Sequence, residues 1–225
     1  MISIVIPVLD EAAGIAASLA ALQPLRAAGA EVIVVDGGSR DATRSIAGPL
    51  ADLVIEAPRG RASQMNAGAA AGRGDVIVFL HADTFLPPNA LEAIGAALDG
   101  RHAWGRFDVT IRGGWMLTAV GAMMNARSRI TGIATGDQAI FVRREAFQRA
   151  GRYPSIPLME DVALSKALKA FSAPACLRDR VVTSGRRWEK HGTLRTIALM
   201  WWLRFAYAMG ADPGVLARRY DTGRA

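Results

Sequence analysis

Apolar residues along the first hundred positions fall in short unbroken runs. Each run is closed by an acidic or glycine-bearing turn and followed by a stretch of mixed polarity. Ile2-Ser-Ile-Val-Ile-Pro-Val8, Glu31-Val-Ile-Val-Val-Asp36 and Val76-Ile-Val-Phe-Leu80 have the character of strands buried on both faces of a parallel sheet. A shorter strand is expected from Asp52 to Glu56. The intervening stretches predict helices. Asp10-Glu11 opens one to about Leu22 with Asp10 as N-cap, another starts near Arg40, and a third covers Ser63 to Ala71. Asn89-Ala-Leu-Glu92 resembles a capping box and opens a helix to Leu98. Strands alternating with helices across short connections predict an α/β fold built on a doubly wound parallel sheet.

Beyond Gly100 the alternation loosens. Gly105 to Arg112 alternates weakly as a strand would, and Trp115 to Met124 is apolar at helical spacing. Gln138 to Val142 reads as a further strand, and Leu158 to Phe171 as a helix opening with Met159-Glu160-Asp161. No linker, repeat or low-complexity segment divides the chain. A last helix is expected from Leu194 to Met209, with Ile197-Ala-Leu-Met-Trp-Trp-Leu203 set between Arg195 and Arg204. That apolar run is far short of the ~20 residues a membrane crossing takes. The helix therefore either packs on the sheet or lies at a membrane interface with Trp201 and Trp202 at headgroup level.

Composition narrows the partners. With 51% hydrophobic and 21% charged residues in 225 positions, the chain can bury one sizeable core. Its formal charge of +7, carried mostly by arginine, suits nucleic acid, anionic lipid or a phosphate-bearing small molecule. The arginines are scattered and form no compact block interleaved with aromatics, which argues against nucleic acid. Cys176 is the single cysteine, so no intramolecular disulfide forms and a reducing compartment is expected. It has no metal-ligand spacing around it and reads as an inert buried thiol. The N-terminus lacks a basic stretch and Pro7 interrupts its apolar run, so no secretory signal is read and a cytoplasmic protein is expected. An interfacial terminal helix would place it at the inner face of the membrane.

Candidate chemistry gathers where strands end. Ligands of open α/β sheets sit beyond the carboxyl ends of the strands, and two strong strands end near Asp36 and Asp83. If the Val76 strand continues, alternation points His81 and Asp83 to the same side. A carboxylate there, beside an imidazole, can hold a divalent metal against a diphosphate. The alternative is a strand that ends in a turn, with Asp83-Thr84 capping the next segment.

Six stretches in this order resemble the family 2 glycosyltransferases of the GT-A fold. They are Ile4-Val-Ile-Pro-Val-Leu-Asp-Glu11, Val34-Val-Asp-Gly-Gly-Ser-Arg-Asp41, Gly60-Arg-Ala-Ser-Gln-Met-Asn-Ala-Gly68, Phe79-Leu-His-Ala-Asp83, Gly136-Asp-Gln-Ala-Ile-Phe-Val-Arg-Arg144 and Glu160-Asp161. The likeness runs from residue 2 to about 190 and is greatest to a small bacterial branch with His-Ala-Asp in place of Asp-x-Asp. It implies one GT-A domain over 1–190, with a donor half to about 100 and an acceptor half from about 101, then a helical tail over 191–225. It also implies an inverting, metal-dependent glycosyltransferase that uses a nucleotide-diphosphate sugar, UDP-linked by expectation. The acceptor is a small molecule or lipid-linked, and peripheral membrane contact would run through the tail.

The resemblance assigns roles residue by residue. Pro7, Glu11, Asp36, Arg61, Gln64, His81, Ala82 and Asp83 fall on the donor side, with Asp83 binding Mg²⁺ or Mn²⁺ and His191 a candidate further metal ligand. Each has a plainer reading: a first-turn acid for Glu11, a turn former for Asp36, a solvated loop residue for Arg61, and a cap for Gln64 or Asn66. Asp161 would deprotonate the acceptor hydroxyl, with Glu160 orienting the acceptor; the plainer reading is two acids on a helix dipole. Gly136, Asp137, Gln138 and Trp188 would line the acceptor side, and Arg187 would meet the diphosphate. Ser184-Gly-Arg-Arg-Trp188 departs from the Gln-x-x-Arg-Trp signature of processive synthases, which argues against polysaccharide extrusion. A sugar-phosphate nucleotidyltransferase would need a glycine-rich basic loop after the first strand, and Pro7-Val-Leu-Asp-Glu11 offers none. A dinucleotide oxidoreductase would need G-x-G-x-x-G after a strand, which is also missing. The non-enzymatic alternative is a basic module that binds membrane surfaces through the tryptophan-bearing tail.

Overall fold

The unbroken apolar runs become the inner strands of one sheet. The computed structural model describes residues 1–185 and 192–222. In it β1 (Ile2–Val8), β2 (Glu31–Asp36), β3 (Leu53–Glu56) and β4 (Val76–Phe79) lie parallel in the order β3-β2-β1-β4. Every residue of β2 is buried, as a strand covered on both faces requires. Alternation then divides the core. Ile4 and Ile6 pack with α1 (Ile15–Ala27), while Val5, Ile33 and Val35 face the opposite side and pack with α3 (Arg61–Ala71). Between these helices the short α2 (Thr43–Ala47) follows β2.

The second half of the chain extends this sheet but changes its character. β5 (Thr84–Phe85), β6 (Trp104–Ile111), β7 (Ile140–Arg143) and β8 (Ala175–Thr183) complete the order β3-β2-β1-β4-β7-β6-β8-β5. β7 runs antiparallel to both β4 and β6, and β5 runs antiparallel to β8. The sheet is therefore mixed rather than all parallel. β8 escapes a search for apolar runs because Arg178-Asp-Arg180 lies within it and only its two ends and Val181 are fully buried. Cys176 sits in this strand half-buried, not deep in a core.

Several expected boundaries move, each for a local reason. The first helix begins at Ile15, and Asp10 caps nothing. Its backbone is left-handed at φ 54°, its carboxylate accepts from the Arg40 amide at 2.8 Å, and its own amide donates to Ser39 at 2.9 Å. The Glu11 amide likewise donates to the Thr43 hydroxyl at 2.8 Å. These groups tie the first loop to the second instead of starting a helix. α4 (Ala90–Leu98) starts where expected, but Asn89 makes no side-chain cap and donates to Asp179 on β8 at 2.7 Å. The strand expected from Gln138 begins at Ile140, because residues 136–138 form a short 3₁₀ turn closed by a Thr135–Gln138 capping box.

α5 (Trp115–Thr131) is locked to β6 by one amide. Asn125 accepts from the Val109 amide at 2.8 Å and donates to the Val109 carbonyl at 3.0 Å, taking the part of a neighbouring strand. Gln138 donates to Ser128 on the same helix at 3.1 Å, so the turn before β7 and α5 are held together. α6 (Arg144–Arg149) and α7 (Glu160–Leu168) cover the other face. The terminal helices α8 (Thr193–Ala208) and α9 (Pro213–Thr222) add a smaller cluster in which Leu203, Leu216 and Tyr220 pack on Met159 and Val162. α8 is thus seated mainly against the start of α7 rather than across the sheet. Trp201 and Phe205 on its outer side are 62% and 66% exposed. Among the described residues, no helix is long and apolar enough to cross a membrane.

The close seating of α3 gives a paired test. A Cβ at Gly68 would collide with a methyl of Val5 and come within 2.8 Å of Val35, whereas one at Gly95 on α4 meets nothing. Helix propensity alone favours alanine at both positions by about 0.5–1 kcal/mol. Gly95→Ala is expected to raise the urea midpoint. Gly68→Ala is expected to lose about 1–3 kcal/mol, because two buried β-branched side chains cannot step aside.

Candidate active site

The carboxyl edge of the parallel strands carries the site. β4 stops at Phe79, so His81 and Asp83 leave the strand on a turn in which the Thr84 amide donates to the His81 carbonyl at 3.0 Å. Strand alternation does not aim them, yet both line one cavity of about 410 Å³. The reversal of β7 brings the 136–138 turn, which precedes that strand, to the same edge. His81 Nδ1 lies 3.2 Å from Asp137 Oδ1. A Cβ at Gly136 would strike the His81 ring, with Cε1 at 2.6 Å, so a glycine is needed for the imidazole to sit there.

The same turn reaches the acidic pair. The Gly136 amide donates to Asp161 Oδ2 at 2.9 Å, and Oδ1 accepts from the Val162 amide at 2.7 Å. Asp161 is therefore oriented by backbone donors at the start of α7. Glu160 behaves differently. Its side chain is 6% exposed, and its nearest cation is Arg61, 3.9 Å away. Burial, with the Asp161 charge adding to it and Arg61 opposing, pushes the Glu160 carboxyl up to about 7. These residues line a second, smaller cavity of about 70 Å³, which shares His81, Asp137, Met200 and Arg204 with the first.

Other expected site residues are not gathered here. Asp36 is fully buried and accepts from the amides of Gly38 and Ser39 at 3.1 and 3.0 Å and from the Ser39 hydroxyl. It closes its own turn and lines neither cavity. Gln64 donates to the carbonyls of Val8 and Val35 at 2.8 Å each and accepts from the amide of Gly60, the N-cap of α3, at 3.4 Å, so it ties the ends of β1 and β2 to α3 and lines neither cavity. Asn66 exchanges two bonds with the Tyr153 backbone. Gln138 is fully buried with its amide turned to Thr135 and α5, away from the acceptor side expected of it. Pro7 and Glu11 are half-buried at and just past the end of β1. The Ala82 carbonyl accepts from Ser18, which pins the turn onto α1. Arg187, Trp188 and His191 lie outside the described residues.

The larger cavity also has residues that the motifs do not reveal. Arg127 on α5 and Arg204 on α8 face it across walls that include Met123, Met124, Met200 and Trp201. The signal was periodic rather than motif-like: each arginine ends an i, i+3, i+4, i+7 stripe, Val120-Met123-Met124-Arg127 and Ile197-Met200-Trp201-Arg204.

Among the described residues, no group of three or more His, Cys, Asp or Glu side chains is spaced to hold a metal. Mg²⁺ bound with nucleotides takes one or two carboxylates and completes its shell with phosphate oxygens and water. Asp83, a carboxylate on an open cavity, fits that demand, and His81 beside it is already engaged with Asp137.

The Glu160 environment gives a stability test. Its carboxyl titrates higher folded than unfolded, so its contribution is fully present below about 4.5 and is lost as pH rises through about 7. Glu160→Gln, which mimics the neutral acid, is expected to be stabilised relative to the parent by up to about 3 kcal/mol at pH 8 and by little at pH 4.5. Paired urea unfolding at the two pH values checks this; an equal difference at both would remove the burial argument.

Several known proteins share this architecture. A mannosyltransferase from Pyrobaculum calidifontis, solved with GDP-Man and Mn²⁺, superposes with a TM-score of 0.70 at 23% identity over 95% of this chain and 66% of its own. TarS residues 1–349 from S. aureus gives 0.65 at 16% identity, over 88% of this chain and 64% of its own. Glucosyl-3-phosphoglycerate synthase from Mycobacterium tuberculosis, with Mn²⁺, UDP and phosphoglyceric acid, gives 0.59 at 21%, over 81% and 69%. The chain thus spans about two thirds of the length of these relatives, and the likeness establishes a shared GT-A fold. No curated protein sequence matches it. The sequence model described as "Glycosyl transferase family 2" matches residues 3–147, which takes in the first five strand-end motifs and β7. The chain belongs to glycosyl transferase family 2.

Proposed function

We propose that the protein moves a sugar from a nucleoside-diphosphate donor to an acceptor hydroxyl with inversion at the anomeric carbon. One observation carries the reading: Asp83 and Asp161 open onto adjoining cavities that share His81 and Asp137, with the 136–138 turn between them. On this reading the two cavities form one reaction centre, with the donor diphosphate beside Asp83 and the acceptor hydroxyl brought to Asp161. Asp161, fixed by two backbone donors, takes the proton from the acceptor hydroxyl as its oxygen attacks the anomeric carbon, and the nucleoside diphosphate leaves from the opposite face. Mg²⁺ or Mn²⁺ held by Asp83 would neutralise charge on the departing diphosphate. Relatives of this fold were solved with GDP-Man and Mn²⁺ and with UDP and Mn²⁺, so UDP and GDP are the first bases to test.

Glu160 shapes the centre without standing in for Asp161. As an acid titrating near 7 beside Asp161, it limits the negative charge there, and Arg61 links it to the start of α3. Pro7, Glu11 and Asp36 keep their donor-side reading only through the family resemblance, since none of them lines either cavity. The donor half is read as about 1–100 and the acceptor half as about 101–190.

A second reading, a membrane-surface module without turnover, draws on the exposed Trp201 and Phe205 of α8 and Met209 at its C-terminal end. Liposome binding in the absence of any donor turnover, and unchanged in Asp83→Ala, would favour it. Under the transferase reading, a thermal-shift series with UDP, GDP and their sugars should show a nucleotide hit that strengthens with Mn²⁺. Asp83→Ala should abolish that metal dependence. Asp161→Ala should keep donor binding while kcat falls by about 10²–10⁴-fold. Transfer by Asp161→Ala at the parent rate would rule out its role as base.

A further inference from the structure

Besides Asp83, the larger cavity holds a cationic group to which the proposed function assigns no role. Arg127 leaves α5 into its wall, and its Nε and Nη2 are buried with no hydrogen-bond partner among the described residues. Buried guanidinium donors without acceptors are costly, and those of Arg127, unlike the orphaned donors of Arg106 and Arg144, belong to a residue that lines an open cavity where an anion could meet them. Arg204 lines the same cavity from α8. Burial, with the charge of Arg204 acting the same way, holds the Arg127 guanidinium down to about 10, and Asp161 and Asp137 oppose it. Two like charges are thus held together facing an open volume.

The rest of the wall is of a different kind. Val120, Met123 and Met124 from α5 and Ile197, Met200 and Trp201 from α8 are apolar, and methionines adapt to irregular aliphatic shapes. Met123 is 45% exposed and Trp201 62%, so the apolar wall continues to the surface. The mirrored stripes on α5 and α8 put an apolar track above each arginine, and His81, Asp83 and Asp137 form the opposite wall. A neutral sugar acceptor would offer no anion to the orphaned donors of Arg127. A free inorganic anion would leave the apolar track empty.

We infer that this cavity takes an acceptor in which an oxyanion is joined to an aliphatic body. Arg127 and Arg204 bind the oxyanion, and the facing α5 and α8 stripes hold the aliphatic part. That the occupant is an acceptor rests on the transferase reading, whereas the preference of the pocket can be measured without turnover.

Decyl phosphate, decyl glucoside and inorganic phosphate, each below any micelle concentration, would be titrated calorimetrically into the full chain. UDP–Mn²⁺ and GDP–Mn²⁺ would be titrated in parallel. Decyl phosphate is expected to bind at least tenfold more tightly than the neutral amphiphile or phosphate alone. Arg127→Gln and Arg204→Gln are each expected to weaken decyl phosphate tenfold or more while nucleotide–Mn²⁺ affinity stays within twofold. Met123→Asp, at a half-exposed position that tolerates a polar side chain, should weaken decyl phosphate similarly and serves if an arginine variant does not fold. Equal binding of decyl phosphate and decyl glucoside would overturn the proposal. So would arginine variants that lose nucleotide–Mn²⁺ binding and keep decyl phosphate, since the guanidinium groups would then serve the donor diphosphate. If neither nucleotide binds the parent while decyl phosphate does, the pocket preference stands and the donor reading fails.

Discussion

One reversed strand organises the site. β7 enters between β4 and β6 against the direction of both, so its amino end meets the carboxyl end of β4. The turn at residues 136–138 therefore arrives beside His81 although more than fifty positions separate them in the chain. Two bonds complete the join, His81 to Asp137 and the Gly136 amide to Asp161. A glycine at 136 is the condition for the first, because any larger residue would occupy the space of the imidazole. The turn after β4, the 136–138 turn and the start of α7 are thereby fixed relative to one another by short contacts.

The polar side chains near that edge divide into those that brace the frame and those that line the cavities. Asp36, Gln64, Asn66 and Gln138 spend their acceptors and donors on turns and strand ends. Buried polar groups must be satisfied in this way, and here they brace loops that have few apolar contacts of their own. Asp83, Asp137, Asp161, Arg127 and Arg204 line open volume instead. Glu160 lies between the two groups. It faces the smaller cavity, yet it is buried enough that its carboxyl is pushed up to about 7.

The terminal helices give the second half of the molecule a role that the sheet alone could not. α8 packs through Leu203 on Met159 and Val162 at the entrance to α7, so the helix that carries Arg204 is seated on the segment that carries Glu160 and Asp161. α5 is held to β6 by Asn125, which takes the place of a strand neighbour at Val109. The two helices can then face each other across the larger cavity with matching stripes. Packing that is remote from the acidic pair sets the shape and charge of the volume next to it.

The parallel half of the fold was legible in the chain by itself. β-branched runs bounded by aspartate and glycine fix strands buried on both faces, and the strand ends point to His81 and Asp83, whereas the acidic pair of α7 stood out only through the family resemblance. The direction of β7 was not legible, since an apolar run of four residues reads the same in either direction and only its neighbours decide. β8 was hidden because one of its faces is charged, and period-2 burial cannot be recognised where solvent takes half the positions. Asp36 and Gln64 have the residue types of a ligand site, yet the bonds available once β1, β2 and α3 meet assign them to the frame. Arg127 and Arg204 lie at helical spacing from apolar residues and so read as the polar margins of two packed helices. Only the tertiary approach of α5 and α8 turns those margins inward, because a charge becomes a binding group when folding removes its water and leaves it facing a cavity.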